Sequence, residues 1–345
     1  MRAVLLAIAL CFTCSLVSAQ TLPMCPGEKW EKIEPTNAGW NAEKLNEARQ
    51  MLSTMETSAL VVVHKGKVVM DYGRPSSSIL LHSARKSVMS MLFGIAHAQG
   101  KIDLAANLKV LNIDDRSPLT EVEKSATIKD LLSARSCVYI EAAAETKEMK
   151  AARPPRGSCK PGDSWYYNNW DFNALGTIYK QLTGNDVYEG LKLELALPLQ
   201  FENFTKFLDT KYQYEFSSIH PAYHMSISAN DLARVGLLMS RNGNWCGKQI
   251  VPDNWVREST APISKTKNPG IAYGYMWWVG ENGIHYGSRF KGPVFSARGH
   301  LGQILMVSQA EDLVIAHLVD SNTESKQLKG GDFNKVLKVI LSAMP

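Results

Sequence analysis

Strand-like sequence occurs only near the two ends of this chain, and that split limits the folds open to it. Near the N-terminus, "SALVVVHKGKVVMDYG" holds two β-rich runs around His64-Lys65-Gly66, the pattern of a hairpin. Strand signal returns only after Ala272, in "YGYMWWVG", "GPVFSARGH", "GQILMVSQ" and "LVIAHLVDS", with Glu311-Asp312 as a tight turn between the last two. A lone hairpin is marginal in water, so the early and late strands must share one sheet. The expected class is therefore α+β: an antiparallel sheet built from both ends of the chain and flanked by helices. "NAEKLNEARQMLSTM" (41–55) reads as an amphipathic helix before the hairpin, and "DFNKVLKVILSAM" as a helix that ends the chain.

Between these ends the character changes. From Lys101 to about Phe207, short helical pieces alternate with Pro- and Gly-containing loops; "TIKDLLSA" and "WDFNALGTIYKQLTG" are the clearest helices. A further helix follows in "SISANDLARVGLLMSRNG", capped by Ser228 or Asn230 and closed by Gly243. The expected organisation is a sheet domain from residues 20–100 and 208–345, a helical insertion domain from 101–207, and a cleft between them.

Residues 1–19 have the layout of a cleavable signal peptide: Arg2, an apolar run to Val17, and a Val17-Ser18-Ala19 cleavage pattern. A secreted or periplasmic location is expected, with no stable membrane span after cleavage. Four of the six cysteines lie beyond this leader, Cys25, Cys137, Cys159 and Cys246. An exported chain permits disulfides, and Cys137 with Cys159 is the first candidate pair, against four free thiols. Apolar residues at 45% and charged residues at 21% suit a globular core. The lysines are scattered rather than in a basic block, so no nucleic-acid partner is expected. The sequon Asn203-Phe-Thr205 bears on a eukaryotic secretory route only.

Three sequence features can carry chemistry. Ser-x-x-Lys occurs at Ser83/Lys86, Ser264/Lys267 and Ser288/Lys291, but only Ser83 opens an apolar helical run, with Val88, Leu92, Ile95 and Ala96 at helical spacing and Gly100 closing it. Residues i and i+3 share a helix face, and a helix N-terminus offers unpaired N–H groups to a developing oxyanion. Lys86 can take the serine proton if burial lowers its pKa. The second feature is "KPGDSWYYNNWDFNALG", with two overlapping Tyr-x-Asn frames, Tyr166/Asn168 and Tyr167/Asn169. A tyrosine beside a lysine can relay a proton to a leaving group. The third is "SARGHLGQILMV", a strand interrupted by Gly299 and Gly302, where His300 can meet a substrate and the Gln303 N–H can serve as an oxyanion donor. Gly-x-Ser-x-Gly, His-Glu-x-x-His, Gly-x-Gly-x-x-Gly and the P-loop are all absent, and His220 and His224 lack a nearby carboxylate. No metal and no cofactor is expected.

Taken in order, Ser-x-x-Lys, Tyr-x-Asn and His-x-Gly resemble the serine β-lactamase and penicillin-binding-protein superfamily. The resemblance is nearest to its class C β-lactamase branch, with D-alanyl-D-alanine carboxypeptidases, esterases and 6-aminohexanoate-oligomer hydrolases. It extends from about Asn37 to Met344. It implies a β-lactamase/transpeptidase-like fold and two-step acyl transfer on a small-molecule or short peptide-like substrate. A glycine nine residues after the motif tyrosine selects Tyr167/Asn169, since Gly176 fits. By the same resemblance Ser83 is the nucleophile, Lys86 its base and Tyr167 the proton shuttle. Asn169, His300 and Gly302 line the substrate cleft, and the N–H groups of Ser83 and Gln303 form the oxyanion hole.

Two departures accompany it. His300-Leu301-Gly302 stands where β-lactamases carry Lys-Thr-Gly, which favours an amidase or esterase over a lactamase, with Arg298 a candidate for the lost charge. Ser136-Cys137 stands where Ser-Gly is usual, at the entrance to the helical insertion. The alternatives are a true β-lactamase or D-Ala carboxypeptidase and, in another class, a catalytically silent binder of peptide or cell-wall fragments.

Overall fold

The computed structural model describes residues 25–322 and 330–345. The signal-peptide reading of residues 1–19 lies outside the described residues. The hairpin forms as read: β1 (Ala59–His64) and β2 (Lys67–Gly73) are joined by Lys65-Gly66, both at positive φ. Such a two-residue turn follows the right-handed twist of the strands it joins.

Three further strands form a small side sheet: β3 (Ile79–Leu80), β4 (Thr210–Glu215) and β5 (Ser218–Ile227), in the order β3-β5-β4. The late strands are β6 (Ser264–Lys265), β7 (Ile271–Tyr273), β8 (Trp278–Gly280), β9 (Val294–Gly299), β10 (Gln303–Ser308) and β11 (Leu313–Leu318). They join the hairpin in one eight-stranded sheet of order β2-β1-β11-β10-β9-β8-β7-β6. Early meets late at the β1–β11 seam, which is antiparallel with Ala59 opposite Leu318 and His64 opposite Leu313.

The central strands β1, β10 and β11 are buried along their whole length. Side chains alternate between the two faces of a strand, so one run feeds two cores. Val61, Val63, Val307 and Ala316 enter the larger core; Leu60, Val62, Met306 and Ile315 enter the smaller one. The smaller core is closed by α1 (Ala42–Ser53) and the C-terminal α6 (Gly330–Ser342), through Leu45, Leu52, Leu337 and Ile340. Asn41 caps α1 by accepting from the Lys44 N–H.

On the other face lie α2 (Arg85–Ala98), α3 (Ile128–Leu132), α4 (Asn169–Thr183) and α5 (Ala229–Ser240). Ser228 caps α5, and Thr127 with Asp130 forms a capping box on α3. α4 packs on β5, and Gly176 makes this possible: a Cβ there would meet the Tyr223 ring at 2.9 Å. The β4–β5 hairpin thus packs on α4, and the chain then runs into α5, which lies against β1, β10 and β11 of the large sheet.

Both cysteine pairs are bridged, Cys137 with Cys159 and Cys25 with Cys246. The first ties the 137 loop to the segment before Tyr166; the second ties the start of the described chain to the short hairpin turn that follows α5. No helix among the described residues is long and apolar enough to cross a membrane.

Candidate active site

The nucleophile candidate sits on a sharp turn. Leu81 is held by its N–H on the Met225 carbonyl, His82 turns at φ 47°, and a single 3₁₀ turn (His82–Ala84) carries Ser83 into α2. Positive φ at a non-glycine residue is uncommon and is held by the surroundings. Here β9 presses on the turn: a Cβ on Gly299 would meet the Leu81 carbonyl oxygen at 2.3 Å, so only glycine allows this approach. Deeper along α2, the Ser87 hydroxyl donates to the Met276 carbonyl at 2.6 Å and pins the helix to the β7–β8 turn.

Lys86 follows one helical turn after Ser83, and its Nζ lies 2.9 Å from Ser83 Oγ. It is 1% exposed. Nζ stands over the rings of Tyr167 and Phe172, at 5.0 and 5.1 Å from their centroids. Burial, reinforced by the adjacent Arg85 charge, holds its pKa well below the ordinary lysine range. A neutral amine in this place can accept the hydroxyl proton of Ser83.

Tyr167 is the frame that reaches the site. Its ring centroid lies 5.0 Å from Lys86 Nζ, and burial pushes its phenol pKa up to about 12. It therefore stays protonated near neutrality and can pass a proton on rather than serve as a base. Its ring is fixed by Phe172, Tyr273 and a stacked Trp278. Tyr166 turns the other way and donates to the Met149 carbonyl, and Asn168 donates to Val138 O and Asp171. Asp171 is fully buried and also receives the Ser136 hydroxyl, so the Ser136-Cys137 segment is anchored to α4.

A cavity of about 670 Å³ opens above Ser83 and Lys86, with Asn169 and His300 on its walls. Asn169 is the first residue of α4, and its amide turns to the 141–146 loop, donating to Ala144 O at 2.8 Å. It borders the cavity without bonding Lys86. His300 meets His82 edge to face at 5.6 Å. The His300-Leu301-Gly302 motif forms the turn of the β9–β10 hairpin rather than an interrupted strand, because Leu301 (φ 67°) and Gly302 (φ 108°) reverse the chain.

Gly302 and Gln303 stand behind His300. The Gly302 carbonyl accepts from the His317 ring, and the buried Gln303 side chain both donates to and accepts from the Val319 backbone. Neither is among the residues that border the cavity. Arg298 does not border it either: its guanidinium bonds Ser296 and lies on the Tyr286 and Trp278 rings, one ring removed from Tyr167. His220 bonds Thr177 and the Asp114 carbonyl, and His224 bonds Gln213.

The sequence reading passed over Arg85, which lies between the serine and the lysine and is 3% exposed on the cavity wall. It also passed over His82 and Lys211, which share that wall. Their positions depend on the β3–β5–β4 sheet, which the sequence did not announce.

The β-lactamase family model matches residues 47–337. A 6-aminohexanoate-dimer hydrolase from Paenarthrobacter ureafaciens is 24% identical over 320 residues, covering 80% of this chain and 76% of that protein. Among solved structures, a penicillin-binding-protein homologue from Caulobacter crescentus superposes with a TM-score of 0.66 at 14% identity, covering 92% of this chain and 99% of that one. EstCE1, a hydrolase with promiscuous acyltransferase activity, superposes with a TM-score of 0.64 at 14% identity, covering 87% and 98%. With its fold and its ordered motifs in place, the chain belongs to the β-lactamase family of hydrolases.

Proposed function

We propose that this protein is a serine hydrolase that cleaves a small amide or ester through an acyl-Ser83 intermediate. The observation that carries the reading is the 2.9 Å contact between Ser83 Oγ and a Lys86 amine buried to 1% exposure. Neutral Lys86 takes the hydroxyl proton as Ser83 Oγ bonds the substrate carbonyl carbon. The oxyanion forms against the N–H of Ser83 at the start of α2 and a backbone N–H from the His300–Gln303 turn. Collapse breaks the C–N or C–O bond, and the proton held on Lys86 reaches the leaving group through the Tyr167 hydroxyl. Water then attacks the acyl-enzyme, gives its proton back along the same relay, and frees the acid and Ser83.

The absence of Lys-Thr-Gly supports a linear amide or ester over a β-lactam. The curated relative that acts on a 6-aminohexanoate dimer supports the same side. We include export in the proposal: the signal-like residues 1–19 and two disulfides suit an oxidising compartment.

A screen of short-chain esters, aminohexanoate oligomers, D-Ala peptides and nitrocefin against the wild type and Ser83→Ala tests the reading. The expected result is turnover of linear esters or amides by the wild type alone. Fast nitrocefin turnover replaces the reading with a lactamase, and turnover retained in Ser83→Ala refutes it.

A further inference from the structure

The cavity continues past Ser83 to the side sheet, and its far wall holds an arginine with no counter-charge. Arg85 is 3% exposed. One of its terminal N–H groups donates to the His82 carbonyl at 2.7 Å, and the guanidinium lies 5.3 Å from the Tyr223 ring centroid. Its Nε has no hydrogen-bond partner, although a guanidinium carries five donors. Among the described residues no carboxylate lies within ion-pair distance of it.

The acids on the same wall are already engaged. Asp209 accepts from the Ser78 hydroxyl and the Thr205 N–H, and Glu145 is paired with Arg153 through Oε2, while its Oε1 is buried without a partner. Two more buried ring nitrogens beside Arg85 are also unpartnered, His82 Nε2 and His224 Nδ1. Lys211 completes the wall from β4.

A buried cation without a partner is costly and is retained where something else supplies the negative charge. With Lys86 and His82 held neutral, the standing positive charge on this wall is that of Arg85 and Lys211. Burial, with Arg85, His82, Lys86 and Lys211 adding to it, pushes His224 down to about 3. Burial, with His300, Arg85 and Lys86, pushes His82 down to about 4.

We propose that Arg85 is the anchor for an anionic group on the substrate, so that this enzyme prefers linear esters or amides whose acyl chain ends in a carboxylate. This rests on the serine-hydrolase reading above. The fork of the guanidinium matches a carboxylate, and the shared cavity places that carboxylate and the scissile carbonyl in one space.

The test compares matched 4-nitrophenyl esters, neutral butyrate and valerate against the half-esters of succinic, glutaric and adipic acid. The wild type is expected to favour one of the anionic esters by roughly 10- to 100-fold in kcat/KM, the range of a hydrogen bond to a charged group. Arg85→Met is expected to collapse that ratio; any effect through Lys86 acts on both esters and cancels in it. A wild type without anionic preference, or a ratio unchanged in Arg85→Met, overturns the proposal.

A binding arm separates this from failure of the hydrolase reading. Ser83→Ala protein is titrated calorimetrically with glutarate and with neutral glutaramide. Binding of glutarate alone, lost on adding Arg85→Met, supports the anchor even if no ester is turned over. Equal binding of the two, or none of either, overturns it. These wild-type and Ser83→Ala arms stand should Arg85→Met fail to fold.

Discussion

The two ends of the cavity are built differently. At the nucleophile end, Lys86 Nζ bonds Ser83 Oγ and lies over the Tyr167 ring, which three further rings, Phe172, Tyr273 and Trp278, hold in place. At the side-sheet end, Arg85, His82 and His224 each keep a buried polar atom without a partner. A set of groups that completes itself is preorganised for a reaction, whereas one left incomplete has room for a further partner. On the proposed reading, the chemistry sits at the N-terminal ends of α2 and α4, and the choice of substrate where α2 faces β4 and β5.

The contrast can be broken at several points. Ser83→Ala should lower kcat by on the order of 10⁴-fold or more, because the nucleophile is gone while binding stays. Lys86→Met should cost ~10³-fold, and the double variant should lose little beyond Ser83→Ala, as residues that act as a unit are non-additive. Tyr167→Phe should cost ~10²-fold, with a larger loss on amides than on activated esters, since poor leaving groups need the proton most. Activity spared by Tyr167→Phe on amides would remove the relay.

The two ends are also coupled through charge. Arg85 is one cause of the depressed Lys86 pKa, so Arg85→Met should move the acid limb of kcat/KM to higher pH. A limb that stays in place would show that burial alone holds Lys86 neutral.

A smaller effect concerns stability. Burial holds His317 down at about 4, despite its bond to the Gly302 carbonyl, against about 6.5 in an unfolded chain. Between those values the unfolded chain binds the proton and the folded chain does not. Stability should therefore fall as pH drops from about 6.5 towards 4, by on the order of 3 kcal/mol from this group. His317→Gln should flatten the slope of urea-unfolding free energy in that window.

Much of the nucleophile end was legible in the sequence. Ser83 and Lys86 are one helical turn apart, and helix spacing alone puts them on one face. The sheet was legible from alternating runs and turn residues, and the β1–β11 seam follows from the inability of a hairpin to stand alone. The two Tyr-x-Asn frames are equivalent on their own; the resemblance to the family selects Tyr167 through the spacing to Gly176, whose physical meaning is the close packing of α4 on Tyr223.

The side-sheet end was opaque for physical reasons. Pro221 lies inside β5, which argues against a strand there, and β4, although Thr210, Tyr212 and Tyr214 alternate with polar residues, buries none of its six residues. Arg85 stood in plain view, but a polar residue in a first helical turn normally faces water. Only the β3–β5–β4 sheet, folded over it from far along the chain, makes it a buried cation. His300-Leu301-Gly302 was read as strand because its neighbours are strand, while two consecutive positive φ values make it a turn.

The most direct measurement is covalent trapping. A fluorophosphonate added to the folded wild type, followed by peptide mass spectrometry, should place one adduct on the peptide carrying Ser83. Labelling should speed up as pH rises through the lowered Lys86 pKa and disappear in Ser83→Ala. An adduct at another serine, or none on active folded protein, would contradict Ser83 as the nucleophile.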